Sequence, residues 1–412
     1  MSAGTHRSRG WARHLAGTLS PIALTASRVA LESHRGLRAH RLLDAAGDRL
    51  RERGRPTRDR MRALSVSPGA RFQWHEVAVP PPPGPDGAIV HPIAIATCDL
   101  DRALALGATP FLLPLHFGHE CVAEVLQIGD HVTSVRPGDR VIVPFQISCG
   151  ACSSCRAGLT ANCRSVPPIS MYGFGVGGGH WGGVVSDQLA VPYADGMLVE
   201  LPPEIEPSVA ASVADNVSDG YRHIGPYLPA LLERDPDSEV LIIAARRKRS
   251  LYSASVPLYA GLIARALGAR LIRFVDARPA VRAEAEQLGL TALPPSEVRG
   301  LAPAPLVIDA SASARGLRCA LTLTAQDGIC TSIGGLHTNA RIPTGLLYGR
   351  NATLLIGRTH ARAIIPHVLK LIVDGQLQPQ RVTTHLERLD DAPRALREHV
   401  ATDATKTILV ES

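Results

Sequence analysis

The chain has 412 residues, 45% of them hydrophobic and 20% charged, with a formal net charge of +7. That length can bury two sizeable cores and makes two domains the default expectation, while no apolar run approaches the roughly 18 residues that a membrane helix needs. The positive charge does not describe the body: residues 1–60 hold 13 Arg against 5 acids, so the remainder carries −1 and offers no basic surface for nucleic acid.

Residues 1–60 read as a basic, disordered extension or as a start assigned too early. An amphipathic helix near Leu31 to Leu50 and an electrostatic arm are the alternatives. The stretch is Arg-rich and acid-poor, as organellar leaders are, but lacks the continuous apolar core of a secretory signal. From Met61 to about residue 230 the pattern is short β-like runs punctuated by Pro and Gly: Ala88–Val90, Val122–Leu126, Arg140–Val143 and Gln188–Val191. Such spacing predicts a compact β-rich domain.

Within that region, Cys149, Cys152, Cys155 and Cys163 crowd into one loop. Four thiolates at those separations suit a tetrahedral structural zinc. A cysteine-rich ribbon for nucleic acid is the competing reading, but basic and aromatic residues do not alternate there. Cys98 lies 21 positions before His119 in Gly118-His119-Glu120, which predicts a second metal site. Taken singly, Cys98 reads as core filler and His119 as a satisfied buried histidine. The remaining thiols, Cys121, Cys319 and Cys330, read as small buried hydrophobes, and the whole cysteine pattern fits a reducing cytoplasm better than a disulfide framework. Gly173 to Gly183 contains a formal G-x-G-x-x-G match, but a strand-like Val184-Val185 follows it, so it is not a phosphate loop. It borders a substrate cleft or forms a mobile loop.

From Glu239 the texture becomes strand, helix, strand: Val240–Ile243, Leu258–Leu267, Leu271–Asp276 and Val281–Leu288, with later strands at Pro305–Asp309 and Gly328–Gly334. That alternation predicts a doubly wound parallel sheet with crossover helices, an α/β cofactor domain over residues 231–350. The last segment, 351–412, ends in a strand-like Thr407–Val410 that returns to the first domain. Glycine normally lets backbone approach a pyrophosphate after the first strand, yet Ala244 to Pro257 has none. Its Arg246, Arg247, Lys248 and Arg249 either clamp the pyrophosphate by charge or form a solvated insertion. Asp276 ends the next strand where a carboxylate holds the adenosine ribose and repels a 2′-phosphate, favouring NAD; Arg278 could offset it and admit NADP.

Together, Cys98, Gly118-His119-Glu120, the four-cysteine loop, the strand–helix–strand half and the closing Lys406-Thr-Ile-Leu-Val resemble the zinc-dependent medium-chain dehydrogenase (alcohol dehydrogenase) family. The resemblance runs from about Met61 to Ser412. Val191-Pro-Tyr-Ala-Asp195 and Ala214-Asp215-Asn-Val-Ser-Asp-Gly220-Tyr221 look most like its formaldehyde dehydrogenase branch. It implies a GroES-like catalytic domain over 61–230, completed by 351–412, and a Rossmann-like cofactor domain. The implied activity is hydride transfer between an alcohol, an aldehyde or its hydrate, and NAD(P), in a homodimer or homotetramer.

The resemblance also implies residue roles. Cys98, His119 and Asp215 match the catalytic zinc ligands, Asp215 standing where cysteine is common; read alone it is a helix N-cap. Glu120 is an occasional fourth ligand or an anchor behind the others. Asp101 matches the acid that accepts the histidine ligand's second N–H. One departure is Leu100, where the family commonly carries the Ser or Thr that begins a proton relay. Asp219, expected beside the cofactor, is a candidate acceptor in its place, as are Glu120 and His116. Leu100 and the missing glycines support a rival reading, a non-catalytic binding or regulatory relative that kept zinc and fold.

Overall fold

The computed structural model describes residues 59–333 and 340–411. Residues 1–58 of the basic extension, and the Gly334 end of the last predicted parallel strand, lie outside the described residues; Arg60, assigned to the extension, instead begins the first strand. Among those described, no helix is long and apolar enough to cross a membrane.

Three sheets organise the chain. A three-stranded antiparallel sheet joins β1 (Arg60–Ser67), β2 (Arg71–Ala78) and the short β4 (Leu115–His116) in the order β2-β1-β4. A seven-stranded sheet takes strands from both ends of the sequence. It runs from β15 (His385–Arg388) through β16 (Thr407–Val410), β3 (Ala88–Ala96), β5 (Glu120–Ile128) and β6 (Arg140–Val143) to β8 (Val199–Glu200), with β7 (Leu189–Val191) paired to β3. The C-terminal strand therefore does return: Ile408, Leu409 and Val410 pair antiparallel with Ala96, Ile95 and Ala94.

The third sheet holds six parallel strands in the order β11-β10-β9-β12-β13-β14, comprising β9 (Val240–Ile243), β10 (Ile272–Val275), β11 (Thr291–Leu293), β12 (Ala304–Asp309), β13 (Thr324–Ser332) and β14 (Thr353–Ile356). Its central β9 is buried along its whole length, as an unbroken apolar run sandwiched between helices must be. The order reverses between β9 and β12, which opens a crevice beyond their C-terminal ends, the usual ligand position in such sheets. Helix Ser255–Ala266 follows β9 and is apolar on nearly all sides. It packs against helix Asn216–Ile224 of the first region, so one hydrophobic core runs from the parallel sheet into the β-rich half.

Candidate active site

Strand pairing builds the metal cluster. In the β3–β5 ladder Ala96 lies opposite Glu120, so Cys98, two residues past the end of β3, meets His119, one residue before β5. The approach is tight: Gly118 has φ +88°, and a Cβ there would stand 2.7 Å from Val185 Cγ2, so only glycine suits the turn. Asp215 arrives from a third segment, between a 3-10 turn over Ala211–Ala214 and helix Asn216–Ile224. It occupies the N-cap position, but its side chain makes no capping hydrogen bond. The carboxylate turns to the cluster instead, 3.6 Å from Cys98 Sγ and 3.5 Å from His119 Nε2.

One ligand atom from each of Cys98, His119, Glu120 and Asp215 lies within 4.8 Å of the others, and all four residues are buried. Both ring nitrogens of His119 are buried without a hydrogen-bond partner, an expensive state for an imidazole unless a further atom completes it. Burial, with the carboxylates of Asp215, Glu120 and Asp101 around it, holds the Cys98 thiol well above its ordinary value. A divalent cation reverses that balance by stabilising the thiolate and dispersing the carboxylate charge. The sulfur, nitrogen and carboxylate donor set therefore fits zinc.

The surrounding shell is polar and fully enclosed. Asp101, also buried, accepts the Cys98 amide at 2.8 Å through Oδ2. Its Oδ1 and His119 Nδ1 are not hydrogen-bonded to each other, so the expected brace on the imidazole is not closed in this conformation. Asn216 was not singled out from the sequence, yet its Nδ2 donates to Cys98 Sγ at 3.3 Å and to Asp215 Oδ2 at 3.0 Å. Its Oδ1 accepts from Lys406 Nζ at 2.8 Å. Its adjacency to Asp215 was the available signal. Phe174 of the glycine-rich stretch stacks on His119 with ring centroids 4.8 Å apart, which places that stretch against the cluster.

Asp219, one turn beyond Asp215, is pushed up by burial and drawn back by Arg222, whose Nε lies 2.7 Å away. His116 lines a separate groove of about 690 Å³ with His75, His180 and Trp181, which no metal-cluster residue lines. Leu100 offers the cluster only its backbone N–H, 3.5 Å from Cys98 Sγ.

The second cluster is the cysteine loop, where the sulfurs of Cys149, Cys152, Cys155 and Cys163 lie within 4.8 Å of one another and none is in a disulfide. Backbone amides already point at the sulfurs: Arg164 N–H donates to Cys152 at 3.4 Å and Cys149 N–H to Cys163 at 3.3 Å. Partial burial opposes ionisation of Cys152, but the amides of Arg164 and Cys155 outweigh it and bring the thiol down to about 6. Four cysteine donors this close, with N–H and O–H groups donating to their sulfurs as to thiolates, fit a closed structural zinc.

In the crevice of the parallel sheet, Asp276 follows β10 and is fully buried. Arg278 embraces it, Nη2 to Oδ2 at 2.8 Å and Nε to Oδ1 at 3.0 Å. Arg246 is half-buried beside Cys319 after β9, while Arg247, Lys248 and Arg249 are exposed. The amides that begin helix Ser255–Ala266 are met by Asp99, another residue sequence reasoning passed over.

Residues 84–203 match the alcohol dehydrogenase GroES-like domain family. The chain is 34% identical over 145 residues to a probable zinc-binding alcohol dehydrogenase of Mycobacterium tuberculosis, covering 35% of this chain and 36% of that protein. It is 31% identical over 206 residues to the glutathione-independent formaldehyde dehydrogenase of Pseudomonas aeruginosa, covering 49% of each. These alignments thus span between a third and a half of those relatives' own length. Among solved structures, the alcohol dehydrogenase of Thermus sp. ATN1 superposes with a TM-score of 0.74 at 28% identity, over 85% of this chain and all of that one. The GroES-like match, the six-stranded parallel sheet and the two donor clusters make the chain similar to the zinc-dependent medium-chain dehydrogenases.

Proposed function

We propose that this chain is a zinc-dependent oxidoreductase that transfers hydride between an alcohol, or an aldehyde or its hydrate, and a nicotinamide dinucleotide, with NAD ahead of NADP. The observation that carries the proposal is the convergence of Cys98, His119 and Asp215 from three distant segments onto one point, with both His119 nitrogens unmet. Zinc held there supplies Lewis acidity to a substrate oxygen, and the nicotinamide is the hydride partner.

The chain's own residues do the rest. Cys98 and Asp215 bring two negative charges, His119 a neutral nitrogen. Asn216 orients Cys98 and Asp215 through one amide group, and Glu120 stands behind them, fixed by Lys406. Phe174 and Phe145 flank the imidazole and exclude water from one side. Asp276, just past β10, supports NAD as the partner where its carboxylate is released from Arg278, which is paired with it and is the group that would admit NADP; Arg246 and Arg247 are cationic groups in the glycine-free turn after β9 and would meet the pyrophosphate. A second zinc in the four-cysteine lobe has a structural role.

The exposed edge strand β14, with Ile356 57% and Leu355 37% exposed, supports a homo-oligomer, since an apolar open edge favours pairing with another copy. The decisive experiment is a metal count on folded protein, combined with an absorbance assay for NADH and NADPH formation over an alcohol and aldehyde panel. A single metal equivalent that survives Cys98→Ser would overturn the catalytic site.

A further inference from the structure

The crevice that should receive a dinucleotide is filled by groups of the chain itself. In a doubly wound sheet the diphosphate lies on the free amides at the start of the first crossover helix, and the ribose hydroxyls lie on an acid ending the next strand. At the first position, the Asp99 carboxylate accepts the amide of Ser255 at 2.8 Å through Oδ1 and that of Val256 at 3.0 Å through Oδ2; the Ser255 hydroxyl also donates to it. A two-oxygen anion thus sits on the helix N-terminus as a phosphate would, with the helix dipole favouring it. At the second position both oxygens of Asp276 are spoken for. Oδ1 accepts the Arg278 amide at 2.8 Å and its Nε at 3.0 Å, while Oδ2 accepts Arg278 Nη2 at 2.8 Å and the Ala245 amide at 3.2 Å.

The two contacts are joined by the intervening loop. Ser253 N–H donates to the Asp99 carbonyl at 3.1 Å, and Arg278 Nη1 donates to the Tyr252 carbonyl at 3.0 Å. Asp99 is the residue directly after Cys98, so the chain that carries a metal ligand also plugs the phosphate cradle. A diphosphate approaching that cradle meets a carboxylate already bonded there, whose negative charge repels it.

We infer that Asp99 and Arg278 form a two-point internal latch that fills the diphosphate and ribose positions, so that a nicotinamide dinucleotide enters only by displacing them. The inference rests on the nicotinamide reading of the preceding subsection and adds a gate to it. A latch closed nine-tenths of the time weakens the apparent affinity of the open form about tenfold.

The test uses the full-length, zinc-loaded chain and its Asp99→Gly and Arg278→Gln variants, with Asp99→Asn held in reserve should the glycine variant fold poorly. Each is titrated calorimetrically with NADH and with ADP-ribose, which carries the diphosphate and ribose but no nicotinamide. Amide hydrogen exchange is followed over the segment containing Ser255 and Val256. The latch predicts that Asp99→Gly tightens both ligands about tenfold, that Arg278→Gln tightens them in the same direction, and that the Ser255–Val256 amides exchange faster in Asp99→Gly without ligand. Equal affinities in wild type and Asp99→Gly overturn the gate while leaving the nicotinamide reading standing. Binding of neither ligand by any form overturns that reading and the gate with it. Unchanged exchange at Ser255 and Val256 overturns the contact itself.

Discussion

Lys406 Nζ lies 3.3 Å from Glu120 Oε1 and 3.5 Å from Oε2, with both side chains wholly buried directly behind the metal cluster. The same ammonium donates to Asn216 Oδ1 and to the Thr97 carbonyl, so a single cation just before the C-terminal strand ties the end of β3, the start of β5 and the start of helix Asn216–Ile224 together. Burial raises the Glu120 carboxyl and Lys406 pulls it back. Removing one partner of such a pair leaves an uncompensated buried charge. Lys406→Met should therefore cost about 3 kcal/mol or more of stability, read as a lowered urea midpoint. Adding Glu120→Gln should return part of that loss, and a double-mutant cycle with no coupling would refute the pairing.

The cysteine lobe makes a different prediction. It encloses few apolar side chains, so its fold should depend on metal rather than on burial. Cys152→Ser should lower the metal count from two equivalents per chain to one, and should lower the melting temperature by several degrees, because a closed four-thiolate site does not survive the loss of a donor. Cys98→Ser should also remove one equivalent but leave the lobe resistant to proteolysis. Limited digestion near residues 149–163, beside metal analysis, separates the two cases.

Much of the architecture was legible from residues 61–333 because its strands carry their burial in their composition. The run Val240-Leu-Ile-Ile is apolar without interruption because helices cover both faces, and the four-cysteine spacing admits few alternatives. The strands passed over, β2, β4, β8, β11, β14 and β15, are all sheet edges. Arg71-Phe-Gln-Trp-His-Glu-Val-Ala mixes exposed and buried positions, and Thr353-Leu-Leu-Ile is too short to stand out. The metal cluster was legible by resemblance, but its supports were not. Asn216, Lys406 and Asp99 act through partners from 39 to 309 residues away, and no local pattern encodes a contact between Asp99 and Ser255 across 156 residues. The missing glycines were visible at once. What took their place was not, because an aspartate next to a metal ligand has no periodicity to betray it.

Leu100 allows a kinetic prediction. It follows Cys98 by two residues and packs partly buried against the apolar core of the β-rich half, so no hydroxyl stands there to accept a proton. Leu100→Ser should raise the rate of alcohol oxidation several-fold, less than the roughly 100-fold that a fully positioned proton acceptor can give, since the rest of a relay would still be lacking. The gain should appear in kcat and should diminish at high pH, where hydroxide can take the proton directly. An unchanged kcat, measured with saturating cofactor, would show that protons already leave by another route, with Asp219, on the helix that follows Asp215, a candidate acceptor.

His399 sets a pH dependence on folding that is independent of catalysis. Burial, then Arg102, Lys406 and His385, push the imidazole down to about 3, and its Nδ1 is bonded to Thr407 Oγ1 at 3.1 Å while Nε2 has no partner. The folded state therefore keeps it neutral, whereas the unfolded chain takes up a proton near pH 6.5. Stability from this group is complete above pH 6.5 and is lost progressively as the pH falls from there towards 3, because only the unfolded state gains from protonation. At pH 5 the loss should be about 2 kcal/mol. Loss of zinc in acid adds to it in the wild type, so the informative quantity is a difference: denaturant midpoints of wild type and His399→Gln, each at pH 7.5 and pH 5. The substitution should cost stability at pH 7.5 and reduce the drop between the two pH values. An equal drop in both proteins would mean that this histidine is not held neutral.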